Sequence, residues 1–404
     1  MQNCINHHKL NSKYIAEYLI ILYILSTISF FLPINESISK ILQYFFLLLL
    51  IILTCINNRR TIYCTKYKKY FYLFYISIFT SIIPAYIYWE QPLGISIIAT
   101  LAFSGYFIYL LCIKLSINKK MLEYAIIVIS YIHILLTFIK AIFPGLPIGS
   151  AIDTQDRGVR TILITELYGV FLFFRFIQDY MGNRTKKYFI GILLCSITIF
   201  LSGTRQRMLA AIVFAIFFLF KNLKKSYRIV LVIGCLFATI LIIRTTYISN
   251  MINMTVNQLQ SDNPHEAIRT IGITYYLTEF PKKGINQYIG NGIPSYSRSN
   301  YGIESKDFAE SSMIHLVDIG LIGIYNYFGI IGLIFLLIIF YKFITIKEDN
   351  QYTYCKYFLM FILSNSLTSG VLLFYYQIPM ICISAYLLTP IKKNHGCIGN
   401  YCKL

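Results

Sequence analysis

The chain has 404 residues, of which 57% are hydrophobic and 13% charged, with a formal net charge of +19 and a mean hydropathy of +0.63. That balance excludes an ordinary soluble domain, because apolar runs long enough to cross a bilayer recur along the whole length, and such a crossing needs roughly 20 mostly apolar residues. The positive charge does not require a nucleic-acid partner, since its distribution follows membrane topology instead.

In chain order, about twelve spans are predicted: 14–33, 38–56, 70–88, 93–113, 121–143, 161–181, 186–202, 206–220, 227–245, 321–341, 354–371 and 373–389. The first is not read as a cleavable signal, because no small-residue cleavage site follows it and further spans come directly after. Lysine and arginine fall in alternate loops: Lys9 and Lys13, then Arg59 to Lys69, Lys114 to Lys120, Arg184 to Lys187, Lys221 to Arg228, Lys342 and Lys347, and Lys392 and Lys393. Short cytoplasmic loops are enriched in these residues, so both termini are expected in the cytoplasm. The loops near 34–37, 89–92, 144–160, 203–205, 246–311 and 371–373 then face outward. None of the ten cysteines lies in 144–160 or 246–311, and those at cytoplasmic helix ends fit a reducing compartment. Cys397 and Cys402 with His395 match no strong zinc spacing.

The expectation is one all-α domain over 1–404, with one long external insertion at 246–311 between spans nine and ten. Within it, Asn263, Pro264 and Glu266 have the pattern of a helix start. Ala267, Ile268, Ile271 and Tyr275 would line one face of a helix running to about Phe280, stopped by Pro281 and Gly284. The following "GINQYIGNGIPSYSRSNYG" reads as an irregular, shaped loop. Long loops between packed elements are usually functional or disordered, and the helix signal favours function.

Arginine is used asymmetrically. The cytoplasmic loops are mostly lysine, whereas the outward side holds Arg157, Arg160, Arg205, Arg207, Arg244, Arg269 and Arg298. A guanidinium fork grips phosphate or carboxylate in bidentate fashion and keeps its charge when partly desolvated. Arg207 and Arg244, near helix ends, could instead snorkel to headgroups. Arg160, Arg205 and Arg269 sit in different loops on one face, and a polyanion handled outside the membrane is the simplest common cause; a pyrophosphate on a lipid carrier would suit.

In "RTILITE", Glu166 opens the sixth span, where a carboxylate is costly unless paired or facing a polar cavity. It either pairs with a nearby arginine or accepts a proton from an acceptor hydroxyl. In "ESSMIHLVDIGLIGIYNYFGIIG", Glu310 stands where the loop returns to the membrane, and His315 and Asp318 are three apart. They either pair at a headgroup boundary, or Glu310 or His315 serves as a general base with Asp318 orienting the imidazole. Gly320 and Gly323 allow a break before the span. No phosphate-binding GxxxxGK[ST], no HExxH and no acidic metal motif appears; Asp153 and Asp156 do not make one. An external enzyme without nucleotide or metal needs a substrate that is already activated, and a lipid-linked diphosphate sugar is one, its departing pyrophosphate stabilised by arginine.

These segments resemble the bacterial O-antigen polymerase family and its relative, the O-antigen ligase. "LSGTRQRMLA" is similar to the family's Ser-Gly-x-Arg segment through Ser202, Gly203 and Arg205. "RTIGITYYLTEFPKKGINQYIGNGI" is similar to its long-loop pattern through Arg269, Pro281, Gly290 and Gly292. "RTILITELYG" resembles an Arg-x5-Glu-Pro segment, with Leu167 in place of the proline, and "ESSMIHLVDIGLIG" matches through Glu310, Gly320 and Gly323, with Met313 where tyrosine is usual. Ligases tend to carry histidine at the place of Glu310, so the chain looks more like a polymerase.

The resemblance implies a metal-independent, inverting, membrane-embedded (GT-C-like) glycosyltransferase of the bacterial inner membrane, with no cofactor. It would transfer an undecaprenyl-diphosphate-linked glycan onto a lipid-linked repeat unit at the periplasmic face, with a chain-length regulator as a further partner. Arg205 and Arg269 would bind diphosphate and stabilise the leaving group, assisted by Arg160 and Arg298, and Glu310, Glu166 or His315 would take the acceptor proton. The rival readings are the ligase that joins finished glycan to lipid A core, and a lipid-linked-oligosaccharide flippase, which the long loop and the short Ser-Gly-x-Arg break fit poorly.

Overall fold

The computed structural model describes residues 2–31, 36–56, 67–148, 150–154, 158–202, 204–222, 228, 272–280, 284–296, 298–312, 315–346 and 350–390. The helices are α1 Gln2–Thr27, α2 Glu36–Ile56, α3 Lys68–Thr80, α4 Ile82–Ile87, α5 Leu93–Thr100, α6 Phe107–Leu115, α7 Lys119–Ile142, α8 Glu166–Asn183, α9 Lys186–Leu201 and α10 Arg205–Asn222. They continue with α11 Gly284–Ile289, α12 Asn300–Ser312, α13 Leu321–Ile344, α14 Thr353–Asn365 and α15 Ile378–Leu388. One antiparallel hairpin, β1 Ser150–Thr154 and β2 Gly158–Ile162, interrupts the helical pattern.

Five stretches among the described residues are long and apolar enough to cross a membrane: Ser37–Ile56, Lys68–Ile87, Leu93–Leu115, Lys119–Ile142 and Leu321–Ile344. This is the architecture of a helical membrane protein. The predicted span 227–245 and the start of the insertion helix at 263–266 lie outside the described residues.

Three sequence expectations change. The span expected from 161 begins at Glu166, because 158–162 pairs with 150–154 in the hairpin instead, so the chain is not wholly α-helical. The spans expected at 354–371 and 373–389 are short helices separated by the irregular stretch 366–377, where Ser366, Thr368, Ser369 and Gly370 interrupt the apolar pattern. Every residue of α15 and eight of the thirteen in α14 are nonetheless buried, the rest of α14 being half-buried, so this short pair sits inside the bundle. Within the insertion, the stretch expected to be irregular throughout contains α11 and the start of α12, with only 290–299 non-helical between them.

The connections sort into two ends. At the lysine-bearing end, Lys119 Nζ donates to Leu387 O and Thr389 O at 2.6 and 2.7 Å, Asn118 N donates to Glu17 Oε1 at 3.0 Å, and Gln178 bridges to Gln351 and Tyr354. Arg175 joins Glu123 and Asp179, each at 3.1 Å. At the opposite end the loop after α4 meets 291–299, β2 meets the end of α9, and α10 meets the end of α14.

The feature that positions the site is a break in α13. Gly329, at φ 68° and ψ −178°, interrupts that helix and leaves Asn326 O and Tyr327 O without their usual partners four residues on. The amides of Asn291 and Gly292 take them at 2.9 and 3.0 Å. This main-chain approach requires glycine on both sides. A Cβ on Gly290 (φ +87°) would fall 2.2 Å from Tyr327 O, and one on Gly329 would fall 2.2 Å from Tyr288 O. Gln91, fully buried, clamps the loop further: it donates to Ile293 O at 3.0 Å and accepts from Ser295 N at 3.0 Å and Ser299 Oγ at 2.7 Å.

Gly290→Ala should therefore destabilise the protein by about 2 kcal/mol or more, through positive-φ strain and backbone collision. Gly94→Ala in α5, where nothing lies within 4 Å of an added Cβ, should be neutral or gain up to ~1 kcal/mol. Melting temperatures of the two variants in detergent check this contrast.

Candidate functional site

The Gly-x-Gly loop, α12 and the head of α13 enclose a cavity of about 140 Å³, space for on the order of ten waters. Its walls are aromatic: Tyr276, Phe280, Tyr296, Tyr301 and Tyr327. A π-helical turn at Tyr275–Glu279, closed by Phe280 N to Tyr275 O at 2.9 Å, sets Tyr276 and Phe280 on one wall. Trp89, the only tryptophan of the chain, stacks on Phe280 and Tyr301 at 4.7 and 4.5 Å between centroids, and its indole N–H donates to Asn291 Oδ1 at 3.1 Å. Tyr301 Oη donates to Gly292 O at 3.1 Å. Burial pushes the Tyr276 and Tyr301 phenols up, with neighbouring tyrosines adding to it. Both remain protonated hydrogen-bond donors at neutral pH.

The polar lining comprises Ser305, Lys306, Glu310, His315 and Asn326. Lys306 Nζ lies 3.5 Å from a Glu310 carboxylate oxygen, one helical turn apart on α12, with both side chains largely exposed. His315 is exposed where the chain leaves α12 and turns into 316–318. It and Asp318 are joined by backbone, Asp318 N to His315 O at 2.9 Å, and no hydrogen bond or ion pair links the two side chains among the described residues. The pairing expected from helical spacing is absent because His315 stands in extended backbone (φ −90°, ψ 132°) ahead of the single 3-10 turn Leu316–Asp318. Asn326 is 1% exposed, and neither its Oδ1 nor its Nδ2 has a hydrogen-bond partner.

The second region lies where β2, α8 and α10 begin or end. Glu166, the first residue of α8, forms a buried ion pair with Arg207 of α10. The carboxylate also lies at the positive end of its helix. Arg207, for which headgroup snorkelling was one expectation, turns inward instead. His133 Nδ1 meets Thr165 Oγ1 at 2.8 Å beside this pair, and Gly169 makes room for the ring: an added Cβ there would stand 2.8 Å from the imidazole.

Arg160 occupies β2 opposite Ile152, and its neighbour Thr161 donates to Leu201 O at 3.2 Å, so β2 runs against the end of α9. Arg205 is the first residue of α10. Arg298 is exposed at the turn closed by its amide on Ser295 O at 3.0 Å. Arg157, Arg244 and Arg269 lie outside the described residues.

The two regions are connected. Gln206, next to Arg205, donates to Ser364 O and Asn365 O at 3.4 and 3.3 Å. The following Ser366 and Leu367 back onto Gly320, where an added Cβ would fall 2.3 Å from Ser366 O. Segment 364–367 thus links the arginine end of α10 to the head of α13.

Reasoning from sequence passed over Trp89, Gln91, Asn326 and Lys140. Asn326 carried a usable signal, a lone amide within an apolar span, which is costly unless it serves something. Lys140, 4% exposed, donates to Leu146 O at 2.5 Å near the hairpin. Among the described residues no three His, Cys, Asp or Glu side chains form a group that could hold a metal ion.

No family model matches the chain, and no curated protein matches it. The functional reading therefore rests on the residues themselves.

Removing one partner of the Glu166–Arg207 pair strands the other charge. Glu166→Leu or Arg207→Met alone should each cost about 3–5 kcal/mol, and the double variant should lose less than the sum of the two. A double-mutant cycle of melting temperatures in detergent reads the coupling directly.

Proposed function

We propose that the chain is a repeat-unit polymerase of the bacterial inner membrane: a metal-independent, inverting glycosyltransferase acting at the outward face, with both termini cytoplasmic. The observation that carries this reading is the tyrosine-lined cavity, rimmed by Glu310 and His315, joined through 364–367 to the helix end bearing Arg205. The sequence resemblance to O-antigen polymerases supports it independently, through Arg205, Arg269, Glu310 and the Gly290–Gly292 pair.

In this reaction the cavity receives the acceptor sugar of an incoming undecaprenyl-diphosphate-linked repeat unit. Its hydroxyl oxygen attacks the anomeric carbon of the growing glycan from the face opposite the diphosphate. The carbon–oxygen bond to phosphate breaks as the new glycosidic bond forms, which inverts the anomeric centre. The hydroxyl proton passes to the Glu310 carboxylate, with His315 and Glu166 as the other candidate acceptors. Arg205 and Arg269, with Arg160 and Arg298 assisting, take the negative charge developing on undecaprenyl diphosphate. Lysine is a point charge and cannot reproduce a bidentate grip on a diphosphate. A chain-length regulator would act beside this machinery rather than within it.

Deletion of the gene should leave surface glycan one repeat long, seen as loss of the ladder on a gel. Unchanged chain lengths would overturn the proposal. Full-length polymer accumulating on its carrier would identify a ligase, and repeat units trapped in the cytoplasmic leaflet a flippase. In complementation, Arg205→Lys should be nearly as damaging as Arg205→Ala, and Glu310→Gln should slow transfer by about 10²-fold or more. A fully active lysine variant would count against diphosphate gripping at that position.

A further inference from the structure

We propose that Asn326 is the specificity-determining residue of a neutral-sugar subsite at the floor of the tyrosine-lined cavity, holding a pyranose through one donor and one acceptor. The choice of a sugar rests on the polymerase reading; the binding site itself rests on geometry.

Asn326 is 1% exposed, lines the cavity, and has neither amide oxygen nor amide nitrogen paired. A buried polar group left unpaired is destabilising, and nearly all such groups find partners. Its main chain is fully committed, since its carbonyl accepts from Asn291 N at 2.9 Å and Asn291 Nδ2 at 3.3 Å. The backbone at this position is therefore fixed while the hydrogen-bonding capacity of the side chain is unspent. The nearby amides are at least half paired: Asn286 Nδ2 donates to Asn291 Oδ1 at 2.8 Å, and that same oxygen accepts from Trp89. Asn286 Oδ1 alone is left unpaired there, whereas Asn326 lacks a partner on both amide atoms.

The chemistry of the occupant follows from the lining. An amide offers a donor and an acceptor side by side, and two adjacent sugar hydroxyls, or a hydroxyl beside an acetamido group, supply the complementary pair. Aromatic walls at Tyr276, Phe280, Tyr301 and Tyr327 suit the apolar faces of a ring. The charges at the rim, Lys306 and Glu310, lie 3.5 Å apart and offset each other, so nothing inside favours an anionic sugar. A site built to hydrogen-bond an inserted hydroxyl rejects ligands that lack it far more strongly than an apolar pocket rejects a wrong shape.

Trp89 supplies the readout, being the sole tryptophan and stacked on two rings of the cavity wall. The experiment titrates full-length protein in lipid nanodiscs with the methyl glycosides of a neutral hexose, an N-acetylhexosamine and a hexuronic acid, following Trp89 fluorescence and melting temperature. A neutral glycoside should change the emission saturably and raise the melting temperature of the wild type. Asn326→Leu should weaken that binding at least tenfold, yet melt no lower than wild type when empty, because it removes an unpaired amide. Asn326→Asp, which loses the donor, should also bind more weakly.

Absence of any saturable response to neutral glycosides, tighter binding of the hexuronic acid, or wild-type affinity in Asn326→Leu would each overturn the proposal. A lower melting temperature for empty Asn326→Leu would assign the amide to structure and overturn it too. The deletion phenotype tests the polymerase reading separately: neutral-sugar binding by a chain whose loss leaves glycan length unchanged would refute the polymerase and keep the subsite.

Discussion

The half of the molecule that holds the cavity depends on a main-chain exchange: Gly329 breaks α13, and the amides of Asn291 and Gly292 take the two carbonyls the break releases. An exposed peptide group in a bilayer is costly, so a broken spanning helix is stable only where protein re-satisfies it. Here the partner is a loop more than thirty positions earlier in the chain (Asn291 against Asn326). Because the bonds run backbone to backbone, the loop is fixed in register as well as in place. Gln91 and Trp89 then tie it to the turn after α4, and the cavity is what remains between these ties and α12.

This explains why the candidate site combines rigid and open character. Its floor and walls belong to the packed core, with Tyr301 and Asn326 each 1% exposed. Its rim, at Glu310 and His315, is solvent-facing on α12 and the turn that follows. A buried aromatic wall thus faces an exposed ionic rim across the cavity. The arginine end of α10 is tied to this cavity through a short run of backbone at 364–367, so the two regions are parts of one face of the bundle.

The sequence disclosed some of this and concealed the rest for physical reasons. Hydropathy located the long spans because a bilayer crossing imposes a length, and lysine alternation grouped the loops because insertion imposes a charge bias. The glycines at 290, 292 and 320 stood out, and all three adopt positive φ. What could not be read was which distant backbone they met, since a glycine shows that an approach is close but not its partner. The short, buried α14 and α15 were taken for full spans because hydropathy does not distinguish a helix facing lipid from one enclosed by protein. The hairpin at 150–162 was missed because its strands are too short to show an alternating pattern. Among the candidate residues, Glu166 had a legible need for a partner, but choosing Arg207 over Arg160 required the fold.

That ion pair also bears on the order in which the chain can assemble. Glu166 opens α8 and Arg207 sits in the first turn of α10, with α9 between them. During synthesis the carboxylate is made before its guanidinium exists, and each charge is costly to bury alone. The three helices therefore form one electrostatic unit: neither charge is compensated until α9 has turned the chain back and brought α10 against α8.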